Sequence, residues 1–244
     1  VVVFGTMILW FGWYGLNCGS TMGLHHIEKG MLAAQIAMNM TLAASTAGIV
    51  VFMLRVVFHR RYDLGGFCCG ILAGLVSVSA SCSSIECGSA LAVSFVGALV
   101  YEAASTVMKL AKIDDPVDAF ATHGACGLWG VLAAAVFDWG KGFSTLHGAE
   151  GFRCMYDHSL WRCKGQQDSL VKNTFIANLA EIGAIFAWVA VMTSLVTVFL
   201  SGLGLTRLSR RHELDFDPDA GFDEVKHDPT RAYDLEDVMP RTCL

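Results

Sequence analysis

One histidine, His123, lies in the stretch DDPVDAFATHGACGLWG, residues 114–130, behind a cluster of carboxylates and at the mouth of a long apolar run. An ionisable side chain inside such a run is a functional hypothesis by default, because holding it there costs free energy. Imidazole is a telling choice. In its neutral form one ring nitrogen donates and the other accepts, so it can hand on a proton or hydrogen-bond a small polar solute without trapping a cation as a carboxylate would. The rival reading is a core histidine bonded to a backbone carbonyl of the adjacent helix, and periodicity alone favours that one. Both stay open on the residues.

A second group stands at the front of the chain. WFGWYGLNCGS, residues 10–20, combines Trp10, Trp13 and Tyr14 with Asn17 and Ser20. Aromatic side chains at that depth form an interfacial belt, which is the stronger reading of the stretch by itself. They also suit a vestibule in which ring faces attract a small ammonium-like cation by roughly 0.5 to 2 kcal/mol, with a hydroxyl to accept a hydrogen bond.

Other candidates reduce to structure. Asp114, Asp115 and Asp118 with Pro116 form a helix start, since Asp caps well, Pro suits the first turn, and carboxylates favour the positive end of the helix dipole. His25 and His26 lack metal-ligand spacing. No phosphate-cradling loop, nucleophile elbow or basic nucleic-acid face is present. GACGLWG lies inside an apolar run, where a phosphate cradle is implausible. No metal, cofactor or nucleic-acid partner is expected.

The elements that must position these residues are membrane helices. Hydrophobic types make up 54% of the 244 residues and charged types only 16%, more apolar material than one soluble core holds. Residues 30–54, 64–85, 119–137 and 182–206 each form an uncharged run of the ~20 residues that cross a bilayer as helix. Six helices are expected, over 1–16, 30–58, 64–82, 88–110, 119–137 and 174–205, with Glu102 and Glu181 interrupting two of them. The fold class is therefore an all-α polytopic membrane protein. One transmembrane domain covers 1–205, and a polar tail covers 206–244.

Arg55, Arg60, Arg61, Lys109, Lys112, Arg207, Arg210 and Arg211 gather on one side, which the positive-inside rule makes cytoplasmic. That puts both chain ends inside and residues 17–29 outside. The net charge of −5 belongs mostly to the tail, which holds ten acids and six bases. Its low hydrophobicity reads as disorder. The first residues are already apolar, with neither a basic leader nor a cleavage site, so an N-terminal part is expected to be missing.

Close backbone approach substitutes for hydrophobic drive in lipid, and Gly66, Gly70 and Gly74 repeat every four residues as such contacts require. His123, Gly127 and Gly130 share a stripe on a regular helix, placing the imidazole beside a smooth glycine floor. Most of the nine cysteines lie in or beside apolar runs and read as packing. Cys154 and Cys163 fall in the polar segment 138–173, where pairing and free thiols are equally open on compartment logic.

These pieces together resemble the ammonium transporters of the Amt/MEP/Rh superfamily. ILWFGWYGLNCGS resembles that family's sixth transmembrane helix, GILAGLVSVSASC its eighth, and DDPVDAFATHGACGLWGV its tenth, in that order. GFDEVKHDPTRAY in the tail is similar to the family's cytoplasmic element, with one residue more between His227 and Ala232. The resemblance covers nearly the whole chain. It implies the second part of an eleven-helix pore protein, helices six to eleven plus the tail, assembled as a homotrimer in the plasma membrane with a cytoplasmic C-terminus.

By that resemblance His123 stands where the second of two pore histidines does, and Trp13 matches a tryptophan beside the pair. Ser20 matches a serine of the outer recruitment site. Leu16 occupies a position that often holds a gate phenylalanine, which implies a looser or differently closed gate. Asp118 matches an acid that holds the inner part of helix ten, and Cys69 stands where many members carry asparagine. Gly221, Asp223, His227 and Tyr233 match the regulatory tail element.

The implied activity is passage of ammonium-derived ammonia through a histidine-lined hydrophobic pore, the proton moving separately. An ammonium sensor signalling through the tail is the alternative. An intramembrane hydrolase pairing His123 with Asp118 is a poor fit, because five positions put them on different helical faces and no nucleophile is placed. No enzymatic role is expected.

Overall fold

The computed structural model describes residues 2–25, 27–60, 62–113, 115–137, 155–157, 162–164 and 168–205. Its elements are helices α1 (Val2–Gly19), α2 (Ile27–His59), α3 (Leu64–Ser79) and α4 (Cys87–Leu110), a π-helical turn (Phe120–Ala125) that runs into α5 (Cys126–Phe137), strands β1 (Met155–Asp157) and β2 (Arg162–Lys164), and α6 (Asp168–Gly202). All six expected helices form. Five helical stretches among the described residues are long and apolar enough to cross a membrane, the π-helical turn and α5 counting as one, while α3 is shorter. Among the described residues the one departure from an all-helical chain is a short antiparallel pair that sets Tyr156 opposite Cys163. Cys154 lies outside the described residues, and with it the open question of a Cys154–Cys163 pair; so do Asp114, His26 and the tail, 206–244.

Two compact units divide the chain, Val1–Ala184 and Ile185–Leu244. In the second, residues 185–202 continue as helix and end at Gly204, whose φ of 70° is the left-handed conformation glycine adopts freely at a helix C-terminus. In the first, α3 is the hub: α1, α2, α4 and α5 all pack on it. Its Leu75 and Val78 are wholly buried, as are Ala43, Ala47 and Val51 of α2 and Val93 of α4.

The four-residue glycine repeat explains how α2 and α3 come so close. A Cβ at Gly70 would sit 2.8 Å from Val51 Cβ and 3.0 Å from the Ala47 carbonyl oxygen, and one at Gly66 would strike the Arg55 guanidinium. Backbone approach of this kind supplies the van der Waals contact that lipid cannot drive.

α3 stops at Ser79, three residues before the expected end. The cause is a polar clamp from α2. Asn39, fully buried, donates Nδ2 to the carbonyls of Cys82 (2.9 Å) and Ile85 (2.8 Å), and Gln35 Nε2 donates to Ile85 as well (2.9 Å). Those carbonyls belong to the turn leading into α4. Because buried carbonyls need partners, α2 side chains replace the helical ones and the turn can tuck inward. At the other end Asp63 caps α3, accepting from Gly66 N–H at 2.8 Å.

Candidate functional site

His123 is carried by the π-helical turn, and three groups build that turn. Asp118 takes a left-handed φ of 51°, a conformation that Asp tolerates better than most side chains. Both carboxylate oxygens of Asp115 accept from the first amides, Ala119 and Phe120, at 2.8 Å each, and the Asp118 carbonyl accepts from Thr122 N–H at 2.9 Å. The Asp115 carboxylate thus serves the first amides as a helix start requires, but Pro116 lies in a turn ahead of the helix and not in its first turn.

The wider turn overturns one expectation. Its extra residue changes the phase of everything before Cys126, so His123 is exposed on this chain while Gly130 is buried against the Ser77 carbonyl, where a Cβ would lie 2.7 Å away. His123 and Gly130 therefore do not share one face, while Gly127 is half-buried. Gly130 is a packing glycine for α3 rather than a floor beside the imidazole.

Trp13 of α1 lies beside it instead. The two rings stack with centroids 6.2 Å apart and planes 16° from parallel. Trp13 donates Nε1–H to Ser79 Oγ at 3.1 Å. Asn17, one turn on, is buried; its Nδ2 donates weakly to Ser79 Oγ and to the Trp13 carbonyl, both at 3.4 Å. Tyr14 faces a different neighbour, its hydroxyl 2.7 Å from Thr41 Oγ1. α1 therefore divides its aromatics, Trp13 toward His123 and Tyr14 toward α2.

Ser20 follows the end of α1, about 10 Å along the helix from Trp13 at 1.5 Å per residue. It is exposed and donates its hydroxyl to the Leu16 carbonyl at 2.8 Å, which leaves its oxygen able to accept. Leu16 is also exposed. The structure brings Trp13 and His123 together, with Leu16 one turn beyond Trp13 and Ser20 just past the end of α1.

Asp118 does not join that group. It accepts from the Tyr101 hydroxyl at 2.8 Å and from Ser105 Oγ at 2.9 Å, with Arg55 Nη2 at 3.9 Å. Arg55 donates Nε–H to Glu102 at 2.7 Å and pairs with Asp63. Burial alone would push the Asp63 carboxyl up; hydrogen bonds from Gly66 N–H and Arg55 more than offset it and hold it below the usual carboxylate range. A cleft of about 650 Å³ opens beside this network, lined by Arg55, Asp63, Glu102, Ser105 and Lys109 among others.

Sequence reasoning missed the network. Arg55 counted only toward orientation and Glu102 only as an interruption, although an ionisable group inside an apolar run is the same signal that singled out His123. Cys69 is half-buried on α3, and nothing in the structure explains the exchange from asparagine. Gly221, Asp223, His227 and Tyr233 lie outside the described residues. Among the described residues no three His, Cys, Asp or Glu side chains gather as metal ligands.

Residues 1–231 match the family described as Ammonium Transporter Family. The chain is 30% identical over 260 residues to Ammonium transporter 1 member 1 of Arabidopsis thaliana, covering 99% of this chain and 49% of that protein. Its fold resembles the crystal structure of Saccharomyces cerevisiae Mep2, with a TM-score of 0.66 at 25% identity over 82% of this chain and 42% of that one. It also resembles a structure titled Sensor Amt Protein, with a TM-score of 0.68 at 25% identity over 89% and 48%. The chain spans about half the length of the curated relatives it matches. A match running from the first helix into the tail, with a fold like that of solved relatives, means that the chain belongs to the Ammonium Transporter Family.

Proposed function

We propose that the protein moves ammonium across a membrane by passing its nitrogen as ammonia alongside His123, while the proton travels separately. The observation that carries this reading is the Trp13–His123 stack, because a flat indole face holds an imidazole in place without consuming either ring nitrogen. Both nitrogens then stay available to a solute or a proton. Ser20, exposed at the outer end of α1 with acceptor capacity left, suits recruitment of the cation before it enters.

Selectivity follows from cost. Potassium resembles ammonium in size but cannot shed its charge, and an unpaired charge at the bilayer centre costs about 3 kcal/mol on insertion scales and more in simulations. The exposed apolar side chains Phe4, Ile8 and Phe11 on α1 support burial of that face in lipid or against further protein, in a homotrimeric assembly of the plasma membrane with a cytoplasmic tail. No enzymatic step is assigned: the Asp118 carboxylate is occupied by Tyr101 and Ser105, which supports a holding role at the inner mouth.

The test is flux in proteoliposomes, with ammonium and potassium offered in parallel. Ammonium uptake with potassium rejected is the expected result; no uptake, or equal uptake of both, overturns the reading. The likeness to the structure titled Sensor Amt Protein keeps a sensor reading beside it, in which ammonium binds without passing and the tail carries the signal. Binding without flux in the same vesicles selects that second reading.

A further inference from the structure

Ser79, at the last turn of α3, has its hydrogen-bonding capacity fully used. Its hydroxyl donates to the Leu75 carbonyl at 2.7 Å, one turn back, as helical serines do. The oxygen accepts from Trp13 Nε1–H at 3.1 Å and from Asn17 Nδ2 at 3.4 Å. One donor and two acceptor positions are all a serine hydroxyl has. It therefore offers nothing to a passing solute, and its effect on a conduction path must act through the groups it holds.

Those groups belong to α1. An indole has a single donor and no acceptor, so the Ser79 contact occupies the one polar handle of Trp13. With its edge tied to α3, the ring presents its face, and His123 stacks on that face. Asn17 makes a second tether beside the first, its Nδ2 reaching Ser79 while its Oδ1 accepts from the Cys82 thiol at 3.8 Å. Without Ser79 the indole would regain the broad, two-fold torsional freedom of an aromatic side chain. Its freed N–H would then be a donor able to hold neutral ammonia, which accepts.

We propose that Ser79 is the positioning residue of the path: its hydroxyl anchors the Trp13 indole N–H and so fixes the plane on which His123 stacks. This rests on the conduction reading above. The test compares the parent with Ser79→Ala and Ser79→Thr in two measurements, the indole 1H–15N resonance of Trp13 in detergent and ammonium flux in proteoliposomes.

Ser79→Ala is expected to move the resonance and lower flux about five-fold, the effect of one neutral hydrogen bond. Ser79→Thr keeps the hydroxyl and restores both. An unmoved resonance, parent-like flux in Ser79→Ala, or an equal loss in Ser79→Thr overturns the inference. Should the parent itself pass no ammonium, the conduction reading fails and this role goes with it, a result distinct from parent-like flux in the variant.

Discussion

His123 meets Trp13 from a π-helical turn, with ring centroids 6.2 Å apart and planes 16° from parallel. A straight α-helix through the same residues would carry the imidazole on the side that buries Gly130. The extra residue in the turn separates the two jobs. α5 packs on α3 through Gly130, and the stretch before it turns His123 outward toward α1.

Replacing His123 with Ala removes the ring that the reading makes responsible for proton handling. The ratio of ammonium to potassium permeation is expected to fall by about a hundred-fold, the low end of what a positioned proton-transfer group contributes. Parallel ion-flux assays in proteoliposomes measure it, and an unchanged ratio removes the relay role.

Asp118 satisfies two buried hydroxyls, those of Tyr101 and Ser105. Asp118→Ala removes the acceptor of both, although the Tyr101 oxygen still accepts from Arg55 Nη2 at 3.2 Å, and is expected to destabilise by about 2 kcal/mol. Asp118→Asn, which keeps an acceptor and tolerates the left-handed backbone, loses less. Thermal unfolding in detergent ranks parent, Asn and Ala in that order.

Asn39→Leu keeps the branched outline of the side chain but withdraws the donors of the Cys82 and Ile85 carbonyls, only the latter retaining Gln35. A loss of about 2 kcal/mol is expected. Faster amide hydrogen exchange should be confined to the turn over residues 80–86, and equal exchange there contradicts the clamp.

Asp63 is held below its ordinary range when folded. A lowered folded value means that the charged form stabilises the fold above the unfolded value, and that this contribution disappears as pH falls through the folded one. Asp63→Asn is therefore expected to melt below the parent at neutral pH, with the gap closing in acid. A gap that stays constant from pH ~7 down to ~3 assigns the effect to something other than the charge.

Deleting residues 221–233 is expected to reduce ammonium flux several-fold by uncoupling the tail from the inner mouth, an amount within the usual range of coupling between sites. Parent-like flux in the truncated protein counts against any such coupling.

The helices were legible in the sequence because length, apolarity and the scarcity of charge in a bilayer leave few alternatives, and all six formed close to their expected places. The glycine repeat at Gly66, Gly70 and Gly74 was legible for the same reason: only glycine lets backbones meet so closely. His123 and Trp13 could be singled out by residue type and by family likeness. Their stacking could not, since 110 residues separate them and no local rule joins them. Arg55, Tyr101, Glu102, Ser105 and Asp118 likewise come from three separate elements.

Sequence by itself determined which segments must be helical and which side chains are too costly in lipid to be idle. Tertiary structure decided where those side chains point. The π-helical turn rests on Asp115 and Asp118, and Asp118 is itself held by hydroxyls from α4; the early end of α3 rests on Asn39 of α2. Such features are set by partners distant in the chain, so helical periodicity, which looks only a turn or two ahead, has no means of registering them.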